Sequence, residues 1–195
     1  MSDFSKKFID ESIQILRLIN LSIIDELAEE LNTVREKNGR LFICGVGGSA
    51  GHASHAVNDF RKLANIESYS PTDNVSEVTA RTNDEGWETV FEEFLRVSKV
   101  CDKDALLVFS VGGGSKNPAV STGLIKAVDF AKKNSARILG IVGRDGGYTK
   151  ANGDCVLVIP SINMSTITPQ TEGLTALIWH LIVSHPKVKA KPTKW

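Results

Sequence analysis

The sequence has no surplus of charge of either sign. Its 195 residues include 23 Lys and Arg against 23 Asp and Glu, so the formal net charge is zero. Proteins that bind nucleic acids or anionic membranes usually carry an excess of positive charge, and we therefore expect neither partner. The Lys-rich tail from Lys187 to Lys194 is the only basic cluster. We interpret it as a solvated terminus rather than a binding arm.

Long apolar runs and closely spaced cysteines are also absent. No stretch approaches the roughly 18 apolar residues that a membrane-spanning helix needs. Residues 1–13 mix Asp, Lys and Glu with apolar residues, so they lack the uninterrupted core of a signal peptide. Cys44, Cys101 and Cys155 are odd in number and form no C-x-x-C pair, which predicts free thiols in a reducing compartment. We therefore expect a cytoplasmic protein.

The N-terminal segment, residues 1–37, carries apolar residues at helical spacing. Steps of three and four from Ile9 to Leu31 predict a long amphipathic helix from Phe4 to about Arg35, with at most one break. Further leucines widen its apolar face beyond a single stripe. A helix that is apolar on more than one side usually packs against a partner as well as its own core, so we expect a homo-oligomer.

Four short apolar runs without alternation follow, and each is typical of a strand buried on both faces. They are RLFICGV (40–46), ALLVFSV (105–111), ARILGIVG (136–143) and CVLVIPS (155–161). Helical patterns at 49–63, 85–100, 118–133 and 169–184 separate most of them. This alternation predicts a parallel sheet covered on both sides by helices. Because no repeat or linker interrupts it, we expect residues 1–195 to form a single α/β domain.

Three of these predicted strands run into glycine-rich turns: 45–49 (GVGGS), 110–115 (SVGGGS) and 143–147 (GRDGG). Ligands of parallel sheets bind outside the carboxyl ends of the strands. Glycines expose backbone N–H groups that, with a helix N-terminus and serine hydroxyls, can hold a phosphate. Neither of the first two turns has the lysine of a P-loop or the dinucleotide-binding G-x-G-x-x-G. The pattern favours a phosphorylated small molecule, although one such turn alone could serve tight geometry only.

Two pairs of titratable residues stand at helical spacing. His55 and Asp59 are four residues apart, directly after the first glycine turn, and Glu172 and His180 are eight apart near the C-terminus. On a helix each pair shares one face and could bind one metal ion or one substrate atom. The spacing alone leaves two alternatives open: a surface contact for the first pair, and a core histidine for His180.

Along nearly its whole length the sequence resembles the sugar isomerase (SIS) domain family, and within it the phosphoheptose isomerases. Residues 44–59 (CGVGGSAGHASHAVND) are similar to the family signature C-G-N-G-G-S-A-x-D-A-x-H-x-x-x-E. Residues 82–87 (TNDEGW) resemble its N-D-x-G-[FY], and 110–117 (SVGGGSKN) its phosphate loop S-T-S-G-x-S-x-N. The third turn resembles its G-x-x-G-G. The final helix resembles its Q-E-x-H-x-x-x-x-H, with Glu172 at the Gln and His180 at the last His.

The resemblance implies a three-layer αβα domain with a parallel sheet and a long N-terminal helical segment in the interface of a tetramer. It implies an aldose–ketose isomerase that converts sedoheptulose 7-phosphate to D-glycero-D-manno-heptose 7-phosphate through an enediol, with Asp59 as base and His180 as acid. It also implies a divalent metal, zinc by family analogy, on His55, Asp59, Glu172 and His180. The substrate-binding positions that carry over are Val46, Gly47, Gly48, Ser49, Asp59, Asn83, Asp84, Ser110, Val111, Gly112, Ser115 and Glu172.

Four positions depart from the family pattern. Asp59 is one methylene shorter than the family's Glu, and Glu172 puts a carboxylate where the family has a neutral amide. Val46 replaces an Asn, and Gly112 replaces a hydroxyl residue. Two carboxylates would offset the charge of a metal more fully and weaken its Lewis acidity. Two alternatives stay open: an isomerase of another phosphosugar, and a non-catalytic module that binds a phosphosugar or a protein partner. A titratable residue at all four metal positions favours the enzyme.

Overall fold

The computed structural model of the chain describes residues 3–193. Lys194, the end of the predicted basic tail, lies outside the described residues. The part of the tail that is described is attached to the domain: the ammonium of Lys187 pairs with Glu29, and the backbone N–H groups of Ala190 and Lys191 donate to the carbonyl of Leu63. The start of the tail is therefore docked.

Helices and strands alternate through most of the chain. The helices are α1 (Asp3–Leu18), α2 (Leu21–Glu36), α3 (Gly48–Ala64), α4 (Val75–Asp84), α5 (Val90–Val97), α6 (Thr122–Lys133), α7 (Gly147–Asn152) and α8 (Ile167–Ser184). The strands are β1 (Arg40–Cys44), β2 (Glu67–Tyr69), β3 (Ala105–Ser110), β4 (Ser115–Lys116), β5 (Ala119–Val120), β6 (Arg137–Val142) and β7 (Cys155–Val158). None of the described helices is long and apolar enough to cross a bilayer.

Five strands form one parallel sheet in the order β2-β1-β3-β6-β7, and β4 and β5 form a small antiparallel hairpin. The four predicted strands are therefore confirmed. The strand order reverses between β1 and β3. After β1 the chain adds β2 on one side of it, and it then adds β3, β6 and β7 on the other side. In open α/β sheets such a reversal opens a crevice at the carboxyl ends of the two strands concerned. Here those ends carry the first two glycine-rich turns.

Alternate residues of the strands face two different helical layers. Leu41 and Ile43 of β1 belong to a buried cluster with residues of α2, α3 and α8, whereas Phe42 and Cys44 belong to a second cluster with residues of α5 and α6. Both faces of the sheet are thus covered, which explains why its strands are apolar without alternation. The predicted three-layer αβα architecture is confirmed.

The predicted N-terminal helix breaks once, before α2. Asn20 stands at the break, and its side-chain oxygen accepts a hydrogen bond from the backbone N–H of Ser22 at 3.1 Å, which caps α2. The apolar face of α2 is buried in the core of the domain. α1 buries Ile15 but exposes much of its apolar surface, including Ile9, Ile13 and Leu16.

Two helical patterns begin later than the sequence indicated. The pattern at 118–133 becomes α6 only from Thr122, because Pro118 lies in the hairpin of β4 and β5. The pattern at 85–100 becomes a 3-10 turn at Trp87–Thr89 followed by α5. Both differences shorten a helix at its N-terminal end, and α5 also ends three residues before the predicted boundary.

Candidate active site

A cavity of about 1070 Å³ lies at the carboxyl ends of β1, β3 and β6, where the three glycine-rich turns meet. All three turns contribute to its wall, as do the hairpin of β4 and β5 and the start of α8. Seven of the predicted substrate-binding residues line it: Val46, Ser49, Ser110, Val111, Gly112, Ser115 and Glu172. The structure therefore brings together, in one cavity, residues that are far apart in the sequence.

The second turn, residues 110–115, is held rigidly against the third. The backbone N–H of Gly113 donates to the hydroxyl of Ser110 at 3.0 Å, and its carbonyl accepts from the N–H and the hydroxyl of Thr149 at 2.9 and 2.8 Å. Gly113 has φ +67°, and a methyl group there would lie 1.9 Å from the carbonyl oxygen of Gly146. Only glycine allows this close approach. The turn presents a fixed set of backbone and hydroxyl groups to the cavity.

The first turn faces a carboxylate. Gly47 stands at the N-terminus of α3 and gives it no side-chain cap. Instead, the carboxylate of Glu172 lies beside Gly48, so closely that a methyl group on Gly48 would be 2.7 Å from Oε1. A negative charge at a helix N-terminus is stabilising. The position where a phosphate would be expected at this turn is therefore next to an anion of the protein itself.

His55, Asp59 and His180 converge between α3 and α8. Asp59 is only 4% exposed, and its Oδ1 accepts a hydrogen bond from the side-chain amide of Asn58 at 2.8 Å. Its Oδ2 lies 4.0 Å from Nε2 of His55 and 3.9 Å from Nε2 of His180. The three possible ligand atoms lie within 4.8 Å of one another. A carboxylate and two imidazoles suit zinc and related divalent ions, so this cluster could hold a metal.

The tautomer of His180 follows from its hydrogen bond. Nδ1 lies 2.7 Å from the backbone carbonyl of Ala176, and because a carbonyl can only accept, Nδ1 must carry the hydrogen. This leaves Nε2, the nitrogen that faces Asp59, to bind a metal or to move a proton. A single nitrogen cannot do both at the same moment. The two roles predicted for His180 are therefore alternatives in any one state of the site.

Trp179 forms the floor beneath the two histidines. Its side chain is fully buried, its ring contacts that of His55 edge-on at 4.8 Å between centroids, and it stacks on His180 at 3.5 Å. Within residues 3–193 its indole N–H has no hydrogen-bond partner. The histidine side chains themselves are 56% and 47% exposed. The cluster thus has an apolar floor and an open side through which a ligand can approach.

Three predicted site residues lie apart from this cluster. Glu172 precedes His180 by eight residues, about 12 Å along a helix, and its carboxylate is turned toward Gly48. Its role as a fourth metal ligand stays a prediction. Asn83 and Asp84 end α4, where the Asn83 amide donates to the Asp84 carboxylate at 2.7 Å, and neither lines the cavity. Their contact with substrate also stays a prediction.

Two cations line the cavity that sequence reasoning did not assign to the site: Lys116 and Arg144. The ammonium of Lys116 lies 4.5 Å from the ring centroid of Tyr148 and 3.9 Å from a carboxylate oxygen of Asp129. A hydrogen bond with the Tyr148 hydroxyl, and the charge of Asp129, raise the pKa of Lys116. Arg144 belongs to the third glycine-rich turn, and a basic residue inside such a turn was the signal available in the sequence.

Residues 7–143 match the family model described as SIS domain. The phosphoheptose isomerase of Helicobacter pylori strain Shi470 is 30% identical over 182 residues, which cover 91% of this chain and 87% of that protein. The lincomycin biosynthesis protein LmbN of Streptomyces lincolnensis is 36% identical over 155 residues, 75% of this chain and 56% of that protein, so the chain spans little more than half its length. The solved structure of phosphoheptose isomerase GmhA from Neisseria gonorrhoeae has the same fold, with a TM-score of 0.81, 24% identity, and coverage of 93% of this chain and 97% of that one.

Proposed function

Because the chain belongs to the SIS domain family, we propose that it is a sugar-phosphate aldose–ketose isomerase. The proposed reaction converts sedoheptulose 7-phosphate to D-glycero-D-manno-heptose 7-phosphate. One observation carries the proposal: α3 and α8, whose first turns line the cavity, also bring a buried carboxylate and two exposed imidazoles together. The phosphoheptose isomerase of Helicobacter pylori, similar over most of its length, supports this choice of substrate.

The distance along α8 also favours a long substrate. Glu172 lines the cavity, and His180 lies two helical turns further on, about 12 Å away along the axis. An extended seven-carbon sugar phosphate has a comparable length. A substrate that binds in the cavity beside Glu172 and reacts at His180 must span about this distance. A sugar phosphate with a shorter chain would reach both places less well.

Isomerisation moves a proton between adjacent carbons, and so it needs a base and an acid. In the proposed mechanism Oδ2 of Asp59 removes a proton from C1 of the ketose while Nε2 of His180 protonates the carbonyl oxygen on C2, which gives the enediol. Return of the proton to C2, with loss of the proton from the C1 hydroxyl, gives the aldose. Asn58 holds the other oxygen of Asp59, and Ala176 holds the other nitrogen of His180, so the two reacting atoms are oriented.

The donor set of the cluster fits a divalent metal, and we propose zinc on His55, Asp59 and His180. When bound, such an ion polarises substrate oxygens and stabilises negative charge that develops on them. Glu172 would join the ion only by turning away from Gly48. Since Nε2 is the one nitrogen of His180 that is available, the loaded site would need a different proton donor. Activity with and without metal therefore distinguishes the two roles of His180.

We further propose a homo-oligomer, a tetramer by family analogy, in the cytoplasm. The exposed apolar residues of α1 support the oligomer, because a face of this kind is usually covered by a partner. The scarcity and spacing of the cysteines remain the argument for the cytoplasm. Light scattering at micromolar concentration should give a mass above that of one chain, and a monomer would contradict this part of the proposal.

The direct test is to incubate the purified protein with sedoheptulose 7-phosphate and follow the formation of the aldose. The assay is repeated after treatment with a chelator and after addition of zinc. Turnover by the chelated protein would assign His180 the role of acid, whereas activity that returns only with zinc would assign it the role of ligand. Binding of the phosphosugar without turnover would favour the non-catalytic module, and turnover of a different phosphosugar alone would correct the substrate.

A further inference from the structure

The second glycine-rich turn contains no cation of its own. Residues 110–115 (SVGGGS) offer backbone N–H groups and hydroxyls, but a phosphate brings about two negative charges near neutral pH. Glu172 and Asp145 also line the cavity and add negative charge to it. A phosphate bound here therefore needs a positive side chain from outside the turn. The two candidates among the described residues that line the cavity are Lys116 and Arg144.

Lys116 is already engaged. Its ammonium lies 4.5 Å from the ring centroid of Tyr148 and 3.9 Å from a carboxylate oxygen of Asp129, so it already has two partners. Arg144 has no such charged partner, because among residues 3–193 no carboxylate forms an ion pair with its guanidinium. Its side chain passes the second turn, with Cδ 3.8 Å from the position that a methyl group on Gly112 would take. Of the two cations, Arg144 is therefore the one whose charge is available to a ligand at the second turn.

The backbone of Arg144 supports a functional role. It has φ +51°, in the left-handed region that non-glycine residues adopt at a cost, and it shares its turn with Gly146 and Gly147, which also take positive φ. The turn that carries it is fixed at both ends. The N–H of Gly143 donates to the carbonyl of Ser110 at 3.1 Å, and the N–H of Gly146 donates to the carbonyl of Gly143 at 2.9 Å. The arginine is therefore held at a constant position relative to the second turn.

We propose that Arg144 is a specificity-determining residue that binds the phosphate group of the substrate at the second turn. This inference rests on the proposed function in one respect, that the ligand is a sugar phosphate. A guanidinium can donate two parallel hydrogen bonds to phosphate oxygens, which fixes the orientation of the group as well as its position. The guanidinium of Arg144 beside the second turn and the carboxylate of Glu172 beside the first then determine which end of the sugar phosphate lies near α3.

The test measures binding by isothermal titration calorimetry, with sedoheptulose 7-phosphate and inorganic phosphate as probes. Arg144→Asn removes the charge but keeps a residue that tolerates the left-handed backbone. We expect it to weaken binding of the sugar phosphate about tenfold to a hundredfold, the effect of losing a charge-assisted pair, with a parallel loss for inorganic phosphate. Arg144→Lys keeps the charge and should retain part of the affinity. Lys132→Gln removes one positive charge from an exposed residue of α6 and should bind like the parent.

Arg144→Asn with parental affinity for both probes would overturn the proposal. Equal affinities of Arg144→Lys and Arg144→Asn for the probes would also overturn it, because a loss of affinity that does not depend on charge would mean a purely structural role. So would a parent protein that binds neither probe. The failure of the proposed function gives a different result. If the parent binds sedoheptulose 7-phosphate without isomerising it, and Arg144→Asn still weakens that binding, the enzymatic activity is wrong and the role of Arg144 is correct.

Discussion

The first and second glycine-rich turns are similar in sequence but differ in the charge that surrounds them. Both offer glycines and a serine at the carboxyl end of a strand. The first lies beside the carboxylate of Glu172, whereas the second lies beside Arg144 and the more engaged Lys116. The comparison shows that a glycine-rich turn supplies hydrogen-bond donors, whereas the charged side chains beside the turn determine whether it favours an anionic or a neutral ligand group. Those side chains come from distant parts of the chain.

The two turns therefore offer a ligand opposite electrostatic surroundings. The second turn suits an anionic group, while the first turn, already close to a carboxylate, suits the neutral hydroxyl groups of a sugar. The chemistry would then lie on the side of the first turn, because α3 begins there and carries His55 and Asp59. Variants on the two sides should therefore alter different kinetic quantities.

The largest effect is expected from His180 and Asp59. His180→Ala and Asp59→Asn should each lower kcat by roughly two to four powers of ten, the usual contribution of a positioned acid or base. KM should change much less, because the second turn stays intact. Steady-state kinetics with sedoheptulose 7-phosphate measure both quantities. His185→Ala is the matched control, since His185 pairs with Asp25 at the far end of α8. Parental turnover by both variants would place the chemistry elsewhere.

The second effect concerns the rigidity of the second turn. Gly113→Ala introduces a methyl group where φ is +67° and the carbonyl oxygen of Gly146 would be 1.9 Å away. We expect a loss of about 2 kcal/mol or more in unfolding free energy, which lowers Tm by roughly 4–8 °C for a chain of this size. Phosphate affinity should fall with it. Gly112→Ala, whose methyl would meet only Cδ of Arg144 at 3.8 Å, should melt within about 1 °C of the parent. Equal melting temperatures would show that the turns are not packed this closely.

Prediction from the sequence was most successful where burial sets the pattern. The runs that became β1, β3, β6 and β7 are apolar throughout because both faces of the sheet are covered. β2 was missed because it has three residues, of which one is buried, and α4 because it buries none. Neither element carries enough apolar periodicity to detect.

For the site, the resemblance grouped His55, Asp59 and His180, whose possible ligand atoms do lie within 4.8 Å of one another. Among these three residues, helical spacing alone indicated only that His55 and Asp59 share a face. The direction of the Glu172 side chain could not be predicted in this way. It depends on the N-terminus of α3, which is more than a hundred residues away in the sequence and becomes a neighbour only in the folded chain. The role of Arg144 could not be predicted for a related reason. Its turn is recognisable by its glycines, but only the fold shows that its side chain passes the second turn.

The smallest effect is expected from Glu172→Gln. This variant tests the comparison of the two turns most directly, because it removes the charge by which they differ. The variant removes the carboxylate from the N-terminus of α3, which should cost about 0.3–1 kcal/mol of stability and lower Tm by roughly 1–3 °C. Glu36→Gln, at the exposed end of α2, is the control for loss of a carboxylate.

Because the first turn then no longer faces an anion, inorganic phosphate should bind roughly two- to fivefold more tightly to Glu172→Gln, by the same free energy that the helix terminus loses. Zinc affinity, measured by competition with a chelator, should change less than threefold if the carboxylate stays turned toward Gly48. A tenfold or larger loss of zinc affinity would instead mean that Glu172 turns to the cluster as a fourth ligand. In that case the first turn is left without its anion when metal is bound, and the two turns become electrostatically alike.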